Sequence, residues 1–513
     1  MSPSVWTTAG PMTRSRAALM PWALGLALLS AALLLGTALL GPSAAEPPLR
    51  DGTGWRSVLP PWSLDLHPSS GLVTTLLAAG YVVGGCAVGL GLWAARREER
   101  VPTRAVGVAA ALAVLAVLVP PLGSADHVNY AAYGRIAAAG GDPYVEAPVR
   151  WAGGSDPVTS AVEDPWTTTP SIYGPVATAV QAVTSLLGGD SLRATVWAWQ
   201  LVCLAAWLAV GVLLGRAAPA PRTAWLWTLN PVLAGVLLLG AHVDLLAAAL
   251  GLGAVLLCAR RPLVAGALLG AAVGVKLTCA LLGPAVLWAL WRHGRRTGLP
   301  WGRPAVLGVL GSALVLLPTW LWAGPHVLDQ LLRARRFVSL ATPWRPLVDG
   351  LTGPLPNDVV RTGVGLLTPL AVVAVAVLLA RALPPAGAPV PAGDGDGVPG
   401  PVTDAARAAV VLGAAYVLAA PYSLPWYDAL AWAPLALVGA GAVDGLLLLR
   451  LTAYALAYVP GRVLGMSEPV RALTLGFRRG IAPWIGWAVL LALVVLAVRW
   501  SDRARGILRS VDR

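Results

Sequence analysis

The sequence predicts an all-α integral membrane protein that crosses the bilayer about fourteen times. Of its 513 residues, 57% are hydrophobic and 12% are charged, whereas soluble domains average about 25% charged residues. The apolar residues form long runs, and a helix needs about 20 such residues to cross the hydrocarbon core. Arginines cluster between alternate runs, as expected for basic cytoplasmic loops. Since this placement accounts for the net charge of +13, the charge does not indicate nucleic-acid binding.

Fourteen apolar stretches are candidates for membrane-spanning helices, and the shortest of them set a range of about 12 to 14. The first stretch follows Arg14 and Arg16 and is longer than the apolar core of a signal peptide, so we predict that it is retained. The stretches are 17–40, 71–95, 105–122, 191–215, 223–240, 243–259, 262–276, 278–292, 304–323, 359–381, 406–420, 427–443, 445–460 and 481–499.

The basic clusters set the orientation of these helices. With a cytoplasmic N-terminus and alternate crossing, the clusters "RREERVPTR" (96–104) and "RHGRR" (292–296) fall inside. We therefore predict a multi-pass protein of the plasma membrane with both termini cytoplasmic. The predicted regions are a tail at 1–16, a transmembrane domain at 17–499, outer loops at 123–174 and 324–357, a cytoplasmic linker at 384–403 and a basic tail at 500–513.

Asp126 opens the first outer loop, in the stretch "GSADHVNYAAYGRIAAAGG". The segment 130–140 can form a short helix along the membrane surface. Position alone favours Asp126 as the N-cap, whose carboxylate accepts hydrogen bonds from backbone N–H groups of that helix. A partly desolvated carboxylate at the membrane edge can also act as a general base that removes a proton from a hydroxyl.

Lys276 is the only lysine in the chain, and it lies at the tip of an apolar hairpin over residues 262–292. Each arm has about 15 residues and rises about 22 Å, which is less than the hydrocarbon core of about 30 Å. A recessed lysine costs about 2.5–3.5 kcal/mol on insertion scales. Its ammonium group can snorkel to the interface or bind an anionic partner at that depth, and the sequence leaves both interpretations open.

Other polar residues fall on the predicted outer face. His242 and Asp244 lie in the turn "GAHVD". They are either simply the polar residues of an exposed turn or ligands for hydroxyl groups. The second outer loop carries "RARR" with Arg333, Arg335 and Arg336. These arginines can face lipid headgroups or bind a phosphate, whose geometry suits a guanidinium group.

The stretch "PYSLPWYD" (421–428) places Trp426 and Asp428 at the same interface. Aromatic residues here usually form an interfacial belt. They can also stack on the face of a sugar while the carboxylate binds its hydroxyls.

The motifs "YAAYGR", "GDPY", "YGP", "NPVLAGVLLLGAHVD", "GVKLT" and "PYSLPWYD" occur in this order on one predicted side. Over roughly residues 105–463, this set resembles the polyprenol-phosphomannose-dependent α-1,6-mannosyltransferases of actinobacteria. The resemblance implies a multi-spanning C-type glycosyltransferase fold with its active site on the outer face. It also implies a polyprenyl-phosphate sugar donor, a glycolipid or mannan acceptor and inversion at the sugar. It implies no nucleotide sugar and no cofactor, and it leaves a divalent cation open.

The resemblance assigns Asp126 as the catalytic base. The donor phosphate is expected at Lys276 first, and then at Arg135, Arg333 and Arg336. The residues expected to bind the sugar or acceptor are Tyr130, Tyr133, Tyr173, His242, Asp244, Trp426 and Asp428.

Two positions depart from the family pattern. His127 follows Asp126 where a second carboxylate is expected, and Val243 replaces an asparagine. The sequence also leaves two other functions open, which are a transporter or flippase of lipid-linked saccharides and a non-catalytic membrane subunit that binds envelope glycans.

Overall fold

The computed structural model describes residues 18–49, 54–385, 400–462 and 464–511, and this part of the chain is helical without strands. The predicted tail 1–16 and residues 386–399 of the predicted linker lie outside the described residues. The protein is a multi-pass membrane protein. Eight described helices are long and apolar enough to cross a membrane: Met20–Leu40, Ser70–Arg96, Leu192–Ala217, Pro221–Leu239, Gly302–Ala323, Asn357–Ala382, Gly400–Ala419 and Glu468–Arg499.

The helical, membrane-spanning class is confirmed, but the count of fourteen spans is not. Two of the eight long helices are interrupted by π-helical turns, at Gly235–Leu239 and Phe477–Ile481. The final helix continues to Val511, into the predicted basic tail. The other described α-helices are Thr103–Ala116, Asp126–Ala138, Pro175–Gly188, Asp244–Leu257, Pro262–Val275, Leu282–Thr297, Asp329–Ala334, Trp344–Leu351, Ala429–Leu435 and Val443–Ala457.

Prolines shorten two of the predicted spans. The stretch 427–443 contains a helix of seven residues, Ala429–Leu435, with Pro434 in its last turn. Likewise, the helix Thr103–Ala116 ends shortly before Pro120 and Pro121. Proline lacks the N–H that continues a helical ladder, and the residue before it disfavours helical geometry. Hydropathy does not register either effect.

Between the predicted spans 105–122 and 191–215 the structure has two helices, where the sequence predicted one in the first outer loop. The expected surface helix spans Asp126–Ala138, and a second helix spans Pro175–Gly188. Proline is favoured in the first turn because the N–H it lacks has no partner there, which explains why the "YGP" motif starts the second helix. The motif "GDPY" forms a turn, in which the Tyr144 N–H donates to Asp142 Oδ1 at 2.9 Å.

We name the segment Pro262–Thr297 the lysine hairpin. One of its helices packs closely against Gly302–Ala323 through small residues. A Cβ atom on Gly266 would lie 1.9 Å from the carbonyl oxygen of Gly308, and Ser312 Oγ donates to the Gly266 carbonyl at 2.9 Å. Small residues at such contacts let membrane helices associate through van der Waals packing, so they hold the hairpin in place.

The tip of the lysine hairpin contacts the start of the helix Pro175–Gly188. The Gly174 N–H donates to the Val275 carbonyl at 3.2 Å, and a Cβ atom on Gly174 would lie 2.2 Å from the Gly274 carbonyl oxygen. The motifs "YGP" and "GVK" therefore meet backbone to backbone, which brings Tyr173 and Lys276 to one place.

We expect Gly266→Ala to destabilise the protein by about 1–3 kcal/mol, because the added methyl group overpacks the contact with Gly308. The measurement is the midpoint of thermal unfolding in detergent, followed by tryptophan fluorescence. Gly363→Ala is the matched control within a helix, since its methyl group would meet nothing within 4 Å. Equal midpoints for the two variants would show that the close contact does not stabilise the fold.

Candidate active site

A cavity of about 850 Å³ lies where the first outer loop, the lysine hairpin, the second outer loop and residues 421–428 come together. It is the place where most of the predicted site residues converge, although they come from five separate parts of the chain. The predicted residues that line it are Asp126, Tyr130, Tyr133, Tyr173, Asp244, Lys276, Arg336 and Trp426.

Asp126 is the first residue of the helix Asp126–Ala138, and Ala125 occupies the N-cap position before it. Asp126 is therefore not the N-cap of this helix. The carboxylate lines the cavity and is 18% exposed, so a ligand can reach it. Burial and the negative charge of Asp244, opposed by Lys276, raise the pKa of Asp126 to about 7. A carboxylate with such a pKa suits proton abstraction at neutral pH.

Lys276 leaves helical geometry at the end of Pro262–Val275, with φ −148° and ψ 119°. Its Nζ donates to Asp244 Oδ1 at 2.5 Å and lies 3.4 Å from the ring centroid of Tyr427. The two charged side chains are 14% and 6% exposed. The ammonium charge is thus neutralised by a partner that the sequence did not predict. Asp244 Oδ2 has no hydrogen-bond partner among the described residues.

His242 lies behind Asp126 and does not line the large cavity. Its ring stacks on Trp426, with centroids 3.7 Å apart and planes 12° apart, and it is 1% exposed. The buried position gives no support to the predicted sugar-binding role of His242, which stays a prediction. In the described part of the chain, no group of three or more His, Cys, Asp or Glu side chains is placed to hold a metal ion.

Asp428 is also placed differently from the prediction. It forms a fully buried ion pair with Arg450, and Arg450 donates to Ser423 Oγ at 2.7 Å. We name residues 421–428 the aromatic turn. Arg450 joins both parts of this turn, through Ser423 and Asp428, to the helix Val443–Ala457. Asp428 is therefore placed to hold Trp426 and Tyr427 at the cavity, and it does not line the cavity itself.

Two predicted arginines lie away from the cavity. Arg135 donates to Asp156 Oδ2 at 2.8 Å and to Asp190 Oδ1 at 2.5 Å, within the first outer loop. Arg333 is exposed on the short helix Asp329–Ala334 and does not line the cavity. Neither is placed to bind a donor phosphate.

Four arginines line the cavity without an acidic partner among the described residues, and we name them the arginine rim. They are Arg335, Arg336, Arg361 and Arg478. The "RARR" motif signalled the first two. No local pattern indicated Arg361 or Arg478, because Arg361 lies near the start of Asn357–Ala382 and Arg478 in the π-helical turn Phe477–Ile481, both distant in sequence from the other site residues. Arg478 lies over the ring of Tyr458, with Cζ 4.3 Å from the centroid.

A fifth lining arginine, Arg462, is neutralised by an ion pair with Glu163 of the first outer loop. It also donates to the Glu46 carbonyl at 2.7 Å. Arg462 therefore joins three loops at the cavity wall, and sequence reasoning did not identify it.

A family model described as alpha-(1->6)-mannopyranosyltransferase, N-terminal domain, matches residues 23–292, which is more than half of the chain. Alpha-(1->6)-mannopyranosyltransferase A of Mycobacterium tuberculosis is 28% identical over 204 residues, or 38% of each chain. Alpha-(1->6)-mannopyranosyltransferase B of Corynebacterium glutamicum is 32% identical over 131 residues, which is 25% of this chain and 22% of that protein. The chain thus matches well under half the length of either relative.

Among solved structures, the chain resembles the crystal structure of ArnT from Cupriavidus metallidurans bound to undecaprenyl phosphate. The alignment covers 79% of each chain with a TM-score of 0.39 and 16% sequence identity.

We expect Asp428→Asn to lower the free energy of unfolding by about 3–5 kcal/mol, because it leaves the Arg450 guanidinium group buried without its counter-ion. The double variant Asp428→Asn with Arg450→Met should lose less than the sum of the two single losses, since no buried charge remains. Thermal unfolding in detergent measures each variant. Arg479→Gln, which removes an exposed partner of Asp349, is the control and should cost less than about 1 kcal/mol. Strictly additive losses at 428 and 450 would contradict this account.

Proposed function

The chain belongs to the alpha-(1->6)-mannopyranosyltransferase family, and on this premise we propose that it is an inverting glycosyltransferase. It would move a mannosyl residue from polyprenyl-phosphate mannose to an envelope glycolipid or mannan and form an α-1,6 linkage. One observation carries this proposal beyond the family. A single cavity holds a carboxylate with a pKa of about 7, Asp126, together with the guanidinium groups of the arginine rim, which have no acidic partner among the described residues.

The proposed reaction is one direct displacement. The acceptor hydroxyl oxygen forms a bond to the anomeric carbon while the bond from that carbon to the phosphate oxygen breaks. The hydroxyl proton goes to the Asp126 carboxylate, and the electron pair of the broken bond leaves with polyprenyl phosphate. Because the phosphate gains one negative charge, fixed positive charge beside it stabilises the transition state.

The arginine rim is better suited to that charge than Lys276. The ammonium group of Lys276 is already engaged by Asp244 at 2.5 Å, whereas the rim arginines have no acidic partner in the described residues. Guanidinium groups also match the planar, bidentate geometry of phosphate oxygens. We therefore assign the donor phosphate to the rim and give Lys276 the role of setting the charge balance near Asp126.

The aromatic side chains are assigned to the sugar. Tyr130 and Tyr173 meet edge to face with ring centroids 5.0 Å apart, and with Tyr133 and Trp426 they line the cavity near Asp126. Such rings present flat apolar faces together with hydroxyl or N–H groups.

The polyprenyl chain is assigned to the helix Asn357–Ala382. Leu366 and Pro369 of this helix line the cavity, and Leu366 and Leu370 are 73% and 67% exposed on its outer surface. A lipid whose phosphate is bound at Arg361 could extend its tail along this apolar face. The cavity would then open directly into the hydrocarbon layer.

The outer face is the proposed side of the site. Arg261 and the cluster at 292–296 lie at the end of the lysine hairpin opposite Lys276. The positive-inside rule puts such clusters in the cytoplasm, so Lys276 and the cavity would face outwards. Both termini would then be cytoplasmic, as the sequence predicts.

Transfer of labelled mannose from purified polyprenyl-phosphate mannose to a short alkyl mannoside tests the function in detergent solution. Detergent removes the compartments that a flippase needs, so transfer there requires a transferase. Absence of transfer by the native protein, with lipid-linked saccharide moved across vesicles instead, would support transport and contradict the proposal.

We expect Asp126→Asn to lower kcat/KM by about 100-fold to 10,000-fold, which is the range for loss of a general base. In the native protein, kcat/KM should rise with pH until about 7 and then level off, because the base works only when ionised and its pKa is about 7. The measurement is transfer in detergent between pH 5 and 9. Retention of full activity by Asp126→Asn would exclude Asp126 as the base.

We expect Arg336→Gln to raise the KM for the donor by about tenfold to 100-fold, because a charge-assisted hydrogen bond contributes about 1.5–3 kcal/mol. The KM for the acceptor should stay unchanged. Arg333→Gln is the matched control, since it removes an exposed arginine of the same segment that does not line the cavity. Equal donor KM values for the two variants would remove the phosphate from the arginine rim.

A further inference from the structure

His242 lies against the proposed base on the side away from the cavity. Its Nδ1 atom is 3.5 Å from Asp126 Oδ2, and its Nε2 atom is 3.5 Å from Ser124 Oγ. The same Ser124 oxygen is 3.2 Å from the Asp126 backbone nitrogen. The Asp126 main chain, Ser124 and His242 are therefore linked in series, and the Asp126 carboxylate lies beside the other ring nitrogen at 3.5 Å, within ion-pair distance of it.

The donors in this series determine which way each hydrogen bond runs. The Asp126 backbone N–H can only donate, so Ser124 Oγ accepts it and has its own proton free for His242 Nε2. If Nε2 accepts that proton, the neutral ring carries its hydrogen on Nδ1. Nδ1–H then donates to Asp126 Oδ2, since an ionised carboxylate can only accept. Burial lowers the pKa of His242 well below its ordinary value, so the ring stays neutral.

The opposite tautomer is possible but unfavourable when Asp126 is ionised. The Tyr130 hydroxyl lies 3.5 Å from Nδ1 and could donate to it, with Nε2–H then donating to Ser124. That arrangement would turn the Nδ1 lone pair towards the negative carboxylate of Asp126. These contacts are at the outer limit of hydrogen bonding, and such contacts around catalytic groups often tighten when substrate binds.

We infer that His242 is a positioning residue which, as the Nδ1–H tautomer, holds Oδ2 of Asp126 and leaves Oδ1 to meet the acceptor hydroxyl. Trp426 fixes the plane of the imidazole by stacking on it at 3.7 Å. His242 itself touches no substrate. Its effect on catalysis rests on the proposed function, whereas its tautomer does not.

The inference has a consequence for pH because a hydrogen bond donated to a carboxylate stabilises the ionised form and lowers its pKa. Removal of Nδ1–H should raise the pKa of Asp126 further. Other groups near the carboxylate act on it as well and stay in place when His242 is replaced. They are Asp244, Lys276, Tyr130, Tyr133, Tyr173, Tyr422 and Tyr458, with neutral His127 beside it on the same helix.

Two isosteric substitutions separate positioning from simple packing. The amide nitrogen of His242→Asn can take the place of Nδ1 and donate to Asp126, whereas the amide of His242→Gln reaches the place of Nε2. For His242→Gln we expect the acidic limb of kcat/KM to move up by about one pH unit, with about tenfold lower activity at pH 6.5. His242→Asn should stay within about threefold of native activity with an unmoved limb. The KM for the donor should not change in either variant.

The tautomer is measured without substrate, on protein labelled with ¹⁵N-histidine in detergent at pH 8. Five histidines contribute to the NMR spectrum, and the signal absent from His242→Asn is that of residue 242. We expect a neutral ring protonated on Nδ1. A ring protonated on Nε2 would overturn the inference even if the protein proves not to be a transferase. If native protein transfers mannose but kcat/KM falls off at the same acidic pH in His242→Asn and His242→Gln, the inference is overturned while the proposed function stands.

Discussion

The ion pair between Lys276 and Asp244 is the interaction on which the cavity depends. It links the end of the helix Pro262–Val275 to the start of Asp244–Leu257, with Nζ and Oδ1 only 2.5 Å apart. A lysine recessed among apolar helices is costly without a partner, and removal of one member of a buried pair leaves the other charge uncompensated. The pair therefore constrains where the two helix ends lie, and with them the lysine hairpin and the "GAHVD" turn.

The same pair shapes the electrostatics of the site. Burial is the main reason that a negative charge on Asp126 is disfavoured; Asp244 adds to this effect and Lys276 opposes it, so the pKa of Asp126 reaches about 7. Because the ammonium group is neutralised by Asp244, the net positive charge of the cavity is concentrated at the arginine rim. The cavity thus separates Asp126, the proposed proton acceptor, from Arg335, Arg336, Arg361 and Arg478, the proposed site of the donor phosphate.

Other contacts hold the remaining walls of the cavity around this pair. The buried ion pair of Asp428 and Arg450 supports the aromatic turn, whose Tyr427 ring lies against Lys276 and whose Trp426 ring stacks on His242. Gly174 and Gly274 bring the first outer loop against the hairpin tip. The second outer loop is joined to the aromatic turn, since the Ser339 N–H donates to the Pro421 carbonyl at 2.9 Å. Each wall is thereby positioned relative to Asp126.

The sequence by itself determined the helical membrane class, the surface helix after Asp126, the hairpin tip at Lys276 and the family, because hydropathy, helix signals and ordered motifs are local properties. Most of the site residues that the sequence singled out share the cavity, although their roles stay predictions. Only the tertiary structure decided that Lys276 is paired with Asp244, that His242 lies behind Asp126, that Asp428 is buried against Arg450, and that Arg361 and Arg478 reach the cavity. Those outcomes depend on distances between side chains from helices far apart in the chain. Short helices that contain a proline, such as Ala429–Leu435, further change which helices can meet. No periodicity in the sequence encodes such distances.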